Sequence, residues 1–184
     1  ICDALPDNDC VDGVCVVSEG SGSSYQNLVA FLESEGCAIV EIDVAVVDVL
    51  ETLDIDRSVH ISGAGSGDAR AELRSAGDFR LFDIVLGAEE SVAFDSLVLR
   101  QGSAMGEGEG GEGGALRISG EALSASVNLS NVEALDNRAS QKGGAIYAEN
   151  LTIEIEGSII NSNADDYGGA IVMQGGVLVA EAGT

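Results

Sequence analysis

The chain has 184 residues, 32 of them acidic and 8 basic, a net charge of −24, 45% apolar and 4% aromatic content, and a single lysine, Lys142. That length fits one domain, and the apolar fraction excludes an acidic disordered chain, which has too little surface to bury. The charge excludes nucleic acid and anionic membrane surfaces as partners, because both demand clustered Lys and Arg.

The most apolar stretch, residues 37–53, is interrupted by Glu41, Asp43, Asp48 and Glu51. A membrane-spanning helix needs about 20 mostly apolar residues, so none is expected. Ile1 opens neither a basic nor an apolar leader; for a secreted protein the expectation is that a leader has been removed.

Cys2, Cys10, Cys15 and Cys37 lie in the first fifth of the chain. Four cysteines allow three pairings, which sequence does not choose between. No spacing is CxxC and His60 is the only histidine, so disulfides formed in an oxidising compartment are expected rather than zinc. The run Asp7-Asn8-Asp9-Cys10-Val11-Asp12-Gly13 has some features of a calcium loop, with Asp7, Asp9 and Asp12 as candidate ligands. Its third acid and its Gly come one residue late for an EF-hand, and position 12 is Ser18 rather than Glu. Residues 23–35 read as a short helix with Leu28, Val29, Phe31 and Leu32 on one side and Gly36 as its stop. Residues 1–37 are therefore expected to form a disulfide-stapled cap containing a helix, and 38–184 the body, expected to continue beyond 184.

After Cys37 the pattern changes to period two, in short apolar runs from Ile39 through Leu99. Short, evenly spaced strands predict an all-β fold. Internal repetition then narrows the architecture. Gly113-Gly114-Ala115-Leu116, Gly143-Gly144-Ala145-Ile146 and Gly168-Gly169-Ala170-Ile171 are three copies of one tetrapeptide, the second and third 25 residues apart. A period of that length suits a right-handed parallel β-helix with three short strands per coil. A leucine-rich repeat lacks support, because its leucine-dense consensus is missing. Alternation would turn Arg117, Tyr147 and Val172 outward in one column and Ser119, Glu149 and Gln174 in the next, with Ile118, Ala148 and Met173 stacked inside.

Gly-Gly-Ala-Ile units preceded by an Asn-containing segment resemble the polymorphic outer-membrane protein repeats and, more widely, pectate-lyase-like right-handed β-helix surface proteins. Residues 53–65 and 79–84 resemble the first coils of such chains, and the resemblance spans about residues 39–184. In place of the usual Phe-x-x-Asn stand Leu135-Asp136-Asn137 and Ile160-Asn161-Ser162. The resemblance implies surface display or secretion and an adhesive or structural role.

Chemistry is sparse at this level. The two outward columns hold one Arg, one Glu and no Asp, short of the acid cluster and base that a calcium-dependent lyase needs. His60 alternates with core residues and has no nucleophile motif beside it. No catalytic residue is nominated. Residues 105–112, rich in Gly and Glu, read as a flexible acidic loop, since three Glu and no Lys would repel phosphate. Asn128 and Asn150 stand in glycosylation sequons. No cofactor is expected, with calcium as a candidate. The expectation is a non-catalytic, extracellular or cell-surface domain, structural or adhesive, with a cell-surface or matrix component or copies of itself as partner. The alternatives are a carbohydrate-active enzyme and a filament subunit stacking end to end.

Overall fold

The structure, a computed structural model, describes residues 10–11, 13–18, 23–63 and 70–181. In chain order these form β1 (Cys10–Val11), β2 (Val14–Ser18), α1 (Ser24–Glu33), β3 (Ile39–Asp43), β4 (Val46–Val49), β5 (Leu53–Ile55), β6 (Val59–Gly63), β7 (Ala71–Ser75) and β8 (Phe82–Leu86). There follow β9 (Ser91–Asp95), β10 (Leu97–Arg100), β11 (Ser103–Ala104), β12 (Leu116–Gly120), β13 (Ser126–Ser130), β14 (Glu133–Ala139), β15 (Ile146–Glu156), β16 (Ile159–Ala164) and β17 (Ile171–Glu181). A single 3-10 turn, Gly108–Gly111, lies between β11 and β12.

Every strand pair among the described residues is parallel except β1–β2, which is antiparallel. The strands form two sheets. The larger has eleven strands in the order β1-β2-β3-β6-β9-β13-β15-β12-β8-β5, with β17 also on β15; the smaller has six, β11-β14-β10-β7-β4, with β16 on β14.

This arrangement corrects the expected right-handed parallel β-helix of three short strands per coil. The strands are gathered into two parallel sheets, the larger curled on itself, with one helix beside them. The joint is the eleven-residue β15, which pairs with β12 through Ile146–Glu149 and with β13 through Thr152–Glu156. Asn150 sits between the two halves at φ +57°. An asparagine tolerates that left-handed conformation, so the chain turns there and pairing resumes at once. Two runs that period-two reading separates thereby become one strand.

Registered columns make the core. Leu53, Phe82, Leu116, Ile146 and Ile171 are successive partners, and Cys15, Val40, Ile61, Phe94, Leu129, Ile155 and Ala180 form another such series. Val47, Leu73, Leu99, Ala134 and Ile160 face them from the smaller sheet. Phe82 and Phe94 meet edge to face at 5.2 Å between ring centroids, the geometry that the ring quadrupole favours.

The repeated Gly-Gly has two distinct causes. Gly113, Gly143 and Gly168 have φ between +61° and +64°, where a side chain is strained. At the second glycine of the first two copies space decides: a Cβ on Gly114 would lie 2.3 Å from Gly144 O, and one on Gly144 2.2 Å from the backbone of Asn163. The bend between β10 and β11 is held by Asn137, which is buried. Its Nδ2 donates to the Leu99 carbonyl at 3.0 Å and its Oδ1 accepts from the Gly102 amide at 2.8 Å.

Helix α1 buries Tyr25, Leu28, Phe31 and Leu32 against β2, β3, β4 and β5. Its terminal carbonyls would lack partners. Arg57 supplies them, donating to Phe31 O at 3.1 Å, Leu32 O at 3.2 Å and, beyond the helix, Cys37 O at 2.8 Å. The disulfide Cys15–Cys37 joins β2 to the segment entering β3, with Cα atoms 5.7 Å apart. Cys2 and the side chain of Cys10 lie outside the described residues, as do Asp7, Asp9 and Asp12. No helix among the described residues is long and apolar enough to cross a membrane.

Candidate functional site

The register of the larger sheet brings together residues that the repeat reading kept apart. Each residue following the column Leu53, Phe82, Leu116, Ile146, Ile171 lies on the opposite face, so Asp54, Asp83, Arg117, Tyr147 and Val172 form one outer row. Neighbouring strands are about 4.8 Å apart, which sets Asp54 and Asp83 side by side. Ser119, Glu149 and Gln174 form the adjacent row. The sequence reading found the second half of the first row and missed Asp54 and Asp83. The signal was available: Leu53-Asp54-Ile55 and Phe82-Asp83-Ile84 have the same apolar–polar–apolar form as Leu116-Arg117-Ile118. They lack the Gly-Gly that marked the other copies.

Asp83 is shared by two arginines. Arg117 Nη1 donates to its Oδ1 at 3.1 Å, and Arg80 Nη1 stands 3.3 Å from its Oδ2. Both arginines are 8% exposed. Arg117 Nη2 also pairs with Glu109 Oε2 at 2.8 Å, and its Nε lies 4.0 Å from Glu112 Oε2. Glu112 is buried and accepts from Lys142 Nζ at 2.9 Å. Lys142 in turn sits 5.1 Å from the centroid of the Tyr147 ring, within cation–π range. The Tyr147 hydroxyl bonds to Glu149 Oε2 and Gln174 Oε1, each at 3.2 Å, which ties the two rows together.

Local environment shifts four of these groups; for Lys142 the hydrogen bond to Glu112 raises the ammonium above its ordinary value. Partial burial, then the charges of Asp83, Asp56 and Glu51, raise the Asp54 carboxyl above its ordinary value. Burial lowers the Arg80 guanidinium, with Arg117 adding repulsion. Burial, then Glu112 and Glu149, raise the Tyr147 phenol. These are the directions expected from desolvation, like charge and hydrogen bonding to the charged form.

The acidic strap is exposed over residues 105–110 and is tied to the sheet at a few points. Gly111 and Glu112 are buried, Arg80 Nη2 donates to the Glu109 carbonyl, and Ser140 Oγ donates to Gly106 O at 2.7 Å. The strap lies against the outer face because three cations beneath it need carboxylates.

Beside Asp54 and Asp83, between α1 and β5–β8, opens a cleft of about 720 Å³, within the usual size range of ligand sites. Glu33, Glu35, Asp54, Asp56 and Asp83 line it, with Leu32, Ile55 and Val85 as apolar lining. Its one cation, Arg57, is committed to backbone carbonyls around the end of α1. Among the described residues no group of three or more His, Cys, Asp or Glu is placed to hold a metal ion. Both sequon asparagines are exposed, Asn128 on β13 and Asn150 at the bend of β15. No family model matches the chain, and no curated protein or solved structure is significantly similar to it. The resemblance to outer-membrane and pectate-lyase-like repeats rests on the motif residues alone.

Proposed function

We propose that the chain is a non-catalytic extracellular or cell-surface domain, structural or adhesive, that takes a cationic group of a surface or matrix component on its acidic outer face. The cleft between α1 and β5–β8 carries this reading: five carboxylates surround apolar side chains, and the one arginine there is turned to other work. Complementary charge steers encounter and selects partners. The disulfide Cys15–Cys37 favours an oxidising compartment.

Binding of an arginine-rich peptide to the full chain, measured at low and high salt, tests the proposal. Expected are binding that weakens with salt and loss of most of it in the combined variant Asp54→Asn, Asp56→Asn, Glu33→Gln. Binding indifferent to that variant would place the contact elsewhere and overturn the reading.

A carbohydrate-active enzyme is the second reading, supported by the Asp54–Asp83 pairing beside Arg117 and the raised Asp54. Paired carboxylates at about 5–9 Å serve glycoside hydrolysis. Release of reducing ends from a polysaccharide panel, abolished by Asp54→Asn, would favour it over adhesion. The filament reading gains less: α1 lies across the first strands, where a stacking copy would need open edges.

A further inference from the structure

Three of the chain's eight cationic side chains, Arg80, Arg117 and Lys142, converge beneath one strap, residues 105–112. Glu109 touches both arginines, accepting from Arg80 through its backbone carbonyl and pairing with Arg117 through Oε2 at 2.8 Å. Yet the Glu109 side chain is 78% exposed. It is flanked by Gly108 and Gly110, where a Cβ would meet nothing within 4 Å. A guanidinium that is 8% exposed is thus held by a carboxylate on a solvent-facing, glycine-rich segment. Two buried donors have an ion-pair neighbour but no hydrogen bond: Arg80 Nη1, 3.3 Å from Asp83 Oδ2, and Arg117 Nε, 4.0 Å from Glu112 Oε2. Asp83, Glu109 and Glu112 each contact at least one of the three cations, and removing Glu109 takes one carboxylate from Arg117.

We propose that residues 105–110 of the strap are a displaceable lid, with Gly111 and Glu112 staying bonded to Gln141 and Lys142, and that Glu109 occupies on Arg117 the place of an external carboxylate. A planar guanidinium fork matches a carboxylate's two oxygens, and the vacated charge is that of one carboxylate. Arg117 and the 3%-exposed Tyr147 face outward in the sheet and are closed off on that side. Lid opening frees Arg117, which stands next to Tyr147 in the row and near the Glu112–Lys142 pair, a cationic and aromatic patch on an otherwise acidic protein. The ligand is a carboxylate, either of a small organic acid or of an acidic chain.

The test uses the full chain at constant ionic strength, with acetate replacing chloride. Glu109 competes at the effective concentration of a short tether, so Glu109→Gln should tighten acetate binding roughly tenfold, read on the Arg117 Nε–H resonance. Glu107→Gln on the same strap should leave acetate binding unchanged. In the unmutated chain, hydrogen exchange of the strap amides should rise with acetate and not with chloride. A triglutamate probe separates the sources: tighter binding per carboxylate than acetate identifies an acidic chain, equal binding a small acid. Identical acetate and chloride responses, or equal acetate affinity with and without the Glu109 carboxylate, would overturn the proposal.

Discussion

Arg117 donates to Asp83 across two neighbouring strands at 3.1 Å, although the residues are 34 apart in the chain. The bond falls in register, each residue one step after a core position of its own strand. Asp83 thereby holds Arg117 of its own row and Arg80, which precedes β8, two arginines that would otherwise repel each other.

Replacing Asp83 by Asn should therefore cost stability. It leaves Arg80 and Arg117 close together and short of a charge, while Glu109 and Glu112 still compensate in part. The expected loss is about 2 kcal/mol. Urea unfolding should show it as a lower midpoint at an unchanged slope. A loss too small to measure would mean that the cluster is solvated as separate surface charges.

Asp54 should behave in the opposite sense. Its carboxyl is raised in the folded chain, so the folded state binds its proton more tightly than the unfolded state. Stability from this group is present below the unfolded value, near 3.8, and is lost as pH rises through the folded value. Asp54→Asn should then raise Tm slightly at pH 7, an exposed carboxylate being partly screened by solvent, and the gain should vanish near pH 3. A gain that persists in acid would assign the effect to something other than charge.

The second glycines of the repeat allow a paired comparison. At Gly144 a Cβ meets Asn163 backbone at 2.2 Å, whereas at Gly169 nothing lies within 4 Å. Gly144→Ala should cost on the order of 3 kcal/mol through forced backbone movement. Gly169→Ala, the equivalent change one repeat later, should be near neutral. Thermal melts of the two variants side by side decide it; equal losses would contradict the packing account.

The Cys15–Cys37 disulfide closes a loop with a sequence separation of 22. Chain entropy assigns such a loop about 3 kcal/mol. The double variant Cys15→Ser, Cys37→Ser should lower the unfolding midpoint accordingly. Exchange should rise first in β2 and α1, the elements that the bond joins to β3. Protection unchanged there would show that packing by Leu28 and Phe31 suffices.

Much of the local structure was legible in the residues themselves. The apolar spacing of Leu28, Val29, Phe31 and Leu32 located the helix within two residues at each end. Period-two runs and the glycine copies located most of the strands, although β2, β7 and β13 went unread. The paired glycines marked the sharp bends that open β12, β15 and β17; the structure shows a left-handed residue at each first glycine and a close backbone approach at Gly114 and Gly144. The spacing of those glycines also predicted which residues of β12, β15 and β17 would be partners.

How the strands assemble into sheets was not legible. Whether two runs belong to one strand depends on whether the ladder survives the residue between them. At Asn150 it does, through one left-handed residue that no periodicity reveals. The same limit hid the contacts of Asp83 with Arg80 and Arg117 and those of the acidic strap with the sheet. Composition and alternation record what each segment buries, since hydrophobic burial is a property of the segment. Charge pairing between segments distant in the chain depends on register and on the course of the backbone, and only the tertiary structure decides those.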